Sequence, residues 1–165
     1  MGRLTHRTAP GFTYFVTTKT WQGRFVFQVI ENAEILVESI LRHRDAGSYV
    51  LHEFVVMPNH LDLILTPAED TTLEEAMQLI KGGSSRAIHQ RRESKLQIWQ
   101  PGFHEESVRD AFDYRRKAEY IRMNPVDAHL VDEPEEWVYS SAAGKFRMDP
   151  MPERLKAAAS VAQAR

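Results

Sequence analysis

The chain has no cysteine, which excludes disulfides, thiolate zinc sites, iron–sulfur clusters and a cysteine nucleophile together. No apolar run approaches the roughly 18 residues that a membrane-spanning helix needs. The first residues, MGRLTHRTAPGF, carry no apolar signal core, so a cytoplasmic protein with no membrane partner is expected. Net charge is scarce as well: 21 basic residues against 23 acidic ones leave −2, and that balance alone argues weakly against a nucleic-acid partner. What is present is ordinary globular usage, 42% hydrophobic and 27% charged over 165 residues, so disordered and collagen-like classes are excluded. A chain of this length hides roughly 70% of its unfolded surface and needs no covalent staple to keep a core.

The distribution of charge says more than its sum. Lys81, Arg86, Arg91, Arg92 and Lys95 share a segment whose one acid is Glu93, and Arg115, Arg116, Lys117 and Arg122 face only Glu119. The acids gather around Glu69–Glu75 and Asp132–Glu136. Local basic patches of this kind suit phosphate binding, although a solvated helix face would carry the same charges.

The hydrophobic pattern predicts an order β-α-β-β-α-β-α. FTYFVTT after Gly11 is β-branched and aromatic and reads as a strand. Ala33, Leu36, Val37, Ile40 and Leu41 follow helical spacing between Asn32 and Ala46, with Gly47 as the stop. Tyr49–Val56 and His60–Leu65 read as a hairpin about Met57-Pro58-Asn59. Thr72 and Glu75 form a capping box that starts a second helix. Gly82-Gly83 would cost that helix about 2 kcal/mol, at about 1 per glycine, and predicts a kink or break. Trp99–His104, interrupted by Pro101-Gly102, reads as an edge strand or extended loop. Val108–Met123 reads as a third helix that ends at the pre-proline residue Asn124. Strands separated by helices around one central hairpin are the α+β, ferredoxin-like pattern, an antiparallel sheet with helices packed on it. The domain is expected over residues 1–146, with 147–165 as a tail whose Ala-rich end is either a loosely docked helix or frayed.

Two constellations carry chemistry. His60 and Asp62 lie two apart on a strand and so share a face, while Leu61, Leu63 and Leu65 point into the core. An aspartate in the middle of an apolar strand needs a partner. A divalent metal with imidazole and carboxylate ligands would supply one, and so would a solvated sheet face. Tyr120 and Asn124, at i and i+4, present a phenol and an amide together at the end of a helix; packing and capping would explain the same pair. Tyr114, six residues earlier, lies on a face about 120° away and cannot share that neighbourhood.

The strings YVLHEFVVMPNHLDLILTP, KGGSSRAI, IWQPGFHEESVRD, AEYIRMNPVDAHLV and WVYSS, in that order from about Gly11 to Ser141, resemble the REP-associated tyrosine transposases of the single-tyrosine HUH superfamily. The resemblance implies a ferredoxin-like HUH domain that cuts and rejoins single-stranded DNA near hairpins through a covalent phosphotyrosine. It implies Tyr120 as nucleophile and His60, Asp62 and Asn124 as ligands of a divalent metal. The family carries histidine where this chain has Asp62, a harder ligand that favours Mg²⁺ or Mn²⁺ over zinc. His104 occupies a place where the family often has a histidine, and is a candidate DNA contact. Within the superfamily some relatives are dimers with shared active sites, while the REP-associated branch resembles monomers, so a monomer is favoured over a homodimer.

The same residues make chemical sense together. Phenol is a poor nucleophile at its ordinary pKa near 10, and a phosphodiester repels attack by its charge. A divalent ion at a phosphate oxygen removes that obstacle. Lys81, Arg86, Arg91, Arg92, Arg115 and Arg116 are the candidates to hold the DNA backbone, and Trp21, Trp99 and Phe103 are candidates to stack on bases, although residue type favours the core for each of them. The reading is therefore a DNA-cutting transposase, cytoplasmic and nucleoid-associated in a bacterium. Its alternatives are a silent DNA-binding module on the same fold and a metal phosphoesterase that uses water and leaves Tyr120 idle.

Overall fold

A computed structural model describes residues 11–157. Its elements are β1 (Tyr14–Lys19), α1 (Ile30–Asp45), β2 (Tyr49–Met57), β3 (His60–Pro67), α2 (Leu73–Arg92), β4 (His104–Ser107) and α3 (Ala111–Asp127). The strands form one sheet in the order β2-β3-β1-β4, every neighbouring pair antiparallel. That is the expected α+β ferredoxin-like arrangement. No helix among the described residues is long and apolar enough to cross a membrane.

Strand alternation divides the core in two. Val16, Leu61, Leu63 and Leu65 face one side and pack on Leu36 and Ile40 of α1 and on Met77 and Ile80 of α2. Phe15, Val55, Met57 and Ile64 face the other side, against Tyr114, Ala118 and Ile121 of α3. A bulge between Leu51 and Glu53 switches the alternation of β2 midway. It lets Tyr49 and Leu51 before it, and Phe54 and Val56 after it, reach the same helices.

Two sequence expectations need correction. The Gly82-Gly83 pair does not break α2, which runs unbroken for 20 residues. Its capping box, with Thr72 Oγ1 accepting from Glu75 N and Glu75 Oε2 accepting from Thr72 N, is formed. Gly83 serves close helix packing: a Cβ there would meet Ser39 Oγ at 3.0 Å and His43 Nε2 at 3.2 Å on α1. Gly82 faces open space, so Gly82→Ala is expected to stabilise the protein by about 1 kcal/mol through helix propensity alone. A higher urea midpoint with an unchanged slope would show it; an unchanged midpoint would mean that the glycine has another role.

The second correction concerns α3, which does not stop at Asn124 but carries Pro125 inside its last turn, ending at Asp127. So near the C-terminus the missing N–H costs the helix a single bond, and Leu130 N still finds Pro125 O at 2.9 Å. Of the two readings for Trp99–His104, edge strand or extended loop, the loop holds, and the strand begins only at His104. Trp99 makes an isolated bridge to Thr20, and the stretch between is a loop.

Beyond Ser107 the chain returns repeatedly to the sheet. Trp137 donates from Nε1 to Val56 O at 2.9 Å, and Tyr139 O accepts from Val56 N at 2.9 Å, which covers the outer edge of β2. Within the segment expected as a tail, the Asp149 carboxylate takes two bonds from Arg44 at 2.9 Å and one from Leu51 N at 2.9 Å. Leu155 is buried with the α3 layer. The Ala-rich stretch from residue 158 onward lies outside the described residues.

Candidate active site

The site forms where the C-terminal half of α3 crosses the ends of β1 and β3. Cross-strand register pairs Thr17 with Asp62 and Lys19 with His60. All four lie on the α3 side of the sheet, because positions two apart on a strand share a face. Asp62 is 1% exposed, and both its oxygens are engaged: Thr17 Oγ1 donates to Oδ1 at 2.6 Å and Asn124 Nδ2 donates to Oδ2 at 2.8 Å. His60 Nε2 lies 3.4 Å from the same Oδ2 and 3.4 Å from Asn124 Nδ2. The structure thus brings His60, Asp62 and Asn124 together from two elements far apart in sequence.

This donor set suits a metal ion. Asn59 Oδ1 sits 2.8 Å from His60 Nδ1 and accepts its proton, which turns Nε2 toward the Asp62 carboxylate. The donor that meets both atoms here is Asn124 Nδ2, 2.8 Å from Asp62 Oδ2 and 3.4 Å from His60 Nε2. An imidazole, a carboxylate and an amide oxygen fit a hard divalent cation; Asn124 would offer its oxygen only with the amide turned over from the donating position it holds here, and Asn59 is the outer partner that orients the imidazole. Among the described residues no three His, Asp or Glu side chains cluster as a metal site; the set reaches three donors only through the Asn124 amide.

Tyr120 stands beside this set, 56% exposed, with its ring edge-on to Phe15 at 5.9 Å between centroids. It shares an open cleft of about 450 Å³ with Thr17, Lys19, His60, Asp62 and Gln100. Partial burial and then the negative charges of Asp62 and Asp127 push its phenol above the ordinary tyrosine value. The competing Tyr114 points away into the core, edge-on to His52 at 6.0 Å, as the helix arithmetic requires.

The basic residues divide between the two faces of the sheet. Arg115 and Arg116 lie on α3, the helix of Tyr120, both exposed. Arg116 donates to Asp113 Oδ1 at 2.8 Å, and Lys117 donates to both oxygens of that carboxylate, at 2.9 and 2.8 Å. Burial opposes ionisation of Asp113, but these bonds outweigh it and hold the carboxyl well below the usual range. Arg86, Arg91 and Arg92 are exposed on α2, across the sheet from Tyr120. Lys81 is half-buried and donates to Gln100 O at 2.9 Å and Gly102 O at 2.6 Å, so it tethers the loop that walls the cleft. His104 is exposed beside Glu106, with Nε2 3.3 Å from Oε1.

Of the aromatic candidates, Trp99 is core: 6% exposed, stacked at 5.0 Å on Phe27, its Nε1 donating to Ser84 Oγ at 3.1 Å. Trp21 and Phe103 are half-buried. Sequence reasoning missed Thr17, Lys19, Asn59, Phe15 and Gln100. Asn59 was legible as a polar neighbour of His60; the others enter through strand register and loop packing, which leave no local signature.

A helix tyrosine beside an imidazole–carboxylate–amide set on a ferredoxin-like sheet holds the groups that phosphodiester chemistry through a phenol needs. Residues 11–124 match the family described as IS200-like transposases, and the chain belongs to that family. It is 28% identical over 132 residues to a REP-associated tyrosine transposase of Escherichia coli K12, covering 79% of this chain and 76% of that one. It also superposes on a solved REP-associated tyrosine transposase bound to a REP hairpin, with a TM-score of 0.72, 26% identity and 92% of each chain covered.

Proposed function

We propose that this transposase cuts and rejoins single-stranded DNA beside a hairpin through a 5′-phosphotyrosine on Tyr120. The observation that carries the proposal is the exposed Tyr120 side chain sharing one open cleft with His60 and Asp62, to which Asn124 is hydrogen-bonded. Hairpin DNA is the substrate we infer because the solved relative that matches over 92% of each chain is bound to a REP hairpin. Attack by the Tyr120 oxygen leaves the 5′-phosphate on the enzyme and frees a 3′-OH. Reversal needs no ATP, because the phosphotyrosine keeps the bond energy. His60, Asp62 and Asn124 would hold Mg²⁺ or Mn²⁺, which neutralises charge on a phosphate oxygen and orients the scissile bond. Thr17 and Asn59 keep the Asp62 carboxylate and the His60 imidazole in place, and Phe15 steadies the Tyr120 ring. That Asp62 keeps its seat between Thr17 and Asn124 favours this reading over a silent DNA-binding module.

Arg115 and Arg116 are proposed to hold the backbone next to the cleavage point, and Arg86, Arg91 and Arg92 the part of the DNA that reaches the far face. Lys81 serves DNA through the loop it tethers, and His104 is a contact at the cleft's margin. The working unit is a monomer in which the domain of residues 1–146 is joined by the segment from 147, whose Asp149 and Leu155 pack onto it, in the cytoplasm and, in a bacterium, at the nucleoid.

The test is adduct trapping with Mn²⁺ and single-stranded hairpin oligonucleotides that carry flanks. A label at the 3′ end of the strand should travel with the denatured protein, while a 5′ label leaves on a free fragment. Release of both labels would mean hydrolysis by water and would defeat the proposal. For the far face, reversing Arg91 and Arg92 to Glu is expected to weaken hairpin binding for all sequences alike. The log–log salt slope should flatten by about 0.7 per lost phosphate contact on a single strand. Unchanged affinity after that double reversal would assign both arginines to solvent.

A further inference from the structure

Lys19 ends β1 directly opposite His60, with Thr17 opposite Asp62 beside it. The side chains of all four residues therefore form one block beneath Tyr120. Two clefts meet at this block. One, of about 450 Å³, contains Tyr120, His60 and Asp62; the other, of about 320 Å³, contains Phe103 and His104; Thr17, Lys19 and Gln100 line both. Lys19 is exposed, and it makes no ion pair among the described residues. Neighbouring cations are otherwise engaged, Lys81 by the Gln100 and Gly102 carbonyls, and Lys117 and Arg116 by Asp113.

The charge balance of the site explains why a lysine would be needed there. Asp62 brings a buried negative charge where the family resemblance leads one to expect a neutral imidazole, and a phosphodiester entering the cleft brings another. Both repel the developing phenolate of Tyr120, and a divalent ion held by Asp62 would have one of its two charges already offset by that carboxylate. A fixed cation between the two clefts counters this repulsion at the place where it arises.

We propose that Lys19 seats the scissile phosphodiester of single-stranded DNA, donating to its non-bridging oxygens and offsetting the charge of Asp62; the proposal rests on the transposase chemistry above. In the step it assists, the Tyr120 oxygen bonds to phosphorus and the bond from phosphorus to O3′ breaks. O3′ leaves with the electron pair and is protonated by water, and the phenolic proton passes to water. Lys19 acts by hydrogen bonds and charge and exchanges no proton with the reacting atoms.

The experiment compares Lys19→Gln and Lys19→Arg in the full chain. Single-turnover adduct formation is followed on the hairpin strand whose cleavage point the wild type defines. Lys19→Gln should slow the adduct about 10²-fold, the scale for losing one electrostatic donor to a transition state, and Lys19→Arg should recover most of the rate. A methylphosphonate at the scissile position removes the charge that Lys19 is proposed to hold, so there the Lys19→Gln penalty should largely vanish. It should likewise shrink in an Asp62→His background, where the carboxylate is gone. An equal penalty on phosphate and methylphosphonate would overturn the proposal. If the wild type forms no adduct at all, the transposase chemistry fails while Lys19 is still decided by binding. With 15-nucleotide oligothymidine as probe, Lys19→Gln should reduce the salt slope by about 0.7, and an unchanged slope would overturn the phosphate contact.

Discussion

Tyr120→Phe is expected to abolish the covalent protein–DNA adduct and strand cleavage, a loss of at least about 10⁴-fold on the scale seen when a nucleophile is removed. The substitution takes away only the hydroxyl. The ring and its edge-on contact with Phe15 remain, and its exposure means that no buried partner is left unsatisfied. Folding and DNA affinity should therefore be unchanged, which separates a chemical defect from a structural one. Tyr114→Phe is the matched control. Tyr114 is 8% exposed and faces His52 in the core, and burial, then the charge of Glu53, push its phenol well above the ordinary value. It can neither reach DNA nor ionise usefully, and cleavage should persist. Cleavage by Tyr120→Phe at a rate near the wild type would show that another group attacks the phosphate.

Chelation of divalent ions should be almost as damaging. Cation stabilisation at a phosphate oxygen is worth several kcal/mol, so adduct formation should fall by about 10³-fold or more and return on adding Mn²⁺ or Mg²⁺. The same assay isolates Asp62. Asp62→His restores the residue that the family resemblance leads one to expect, and should keep or raise activity with Mn²⁺ while shifting preference away from Mg²⁺, because imidazole is a softer donor than carboxylate. Identical metal dependence in the two proteins would count against Asp62 as a ligand. Asp62→Ala is a poorer probe: it strands Thr17 Oγ1 and Asn124 Nδ2 without their acceptor, a stability cost of about 1–3 kcal/mol that would blur the chemistry.

Elements with strong local signals were legible before any fold was known. The capping box at Thr72 and Glu75 set the start of α2, and Pro58-Asn59 set the hairpin that brings His60 to the head of β3. The errors came where tertiary packing overrode local cost. Gly82-Gly83 looked like a break because propensity counts only the helix itself, yet α1 lies against Gly83 closely enough to make the missing side chain an advantage. Pro125 looked like a stop because the rule assumes a helix interior, and in a last turn the lost bond is minor.

By itself the sequence determined the spacings that short-range geometry governs. His60 and Asp62 had to share a strand face, Tyr120 and Asn124 had to lie on neighbouring positions of one helix, and Tyr114 had to point elsewhere. The tertiary structure decided everything that depends on which strand lies beside which and in what register. It put Thr17 against Asp62 and Lys19 against His60, laid α3 over that pair so that Asn124 closes on both, and sent the arginines of α2 and α3 to opposite faces of the sheet. The physical reason is range. Strand alternation and helical pitch are properties of a few consecutive residues, whereas register and helix placement come from burying two apolar faces of one sheet at once, a choice that the whole chain makes together.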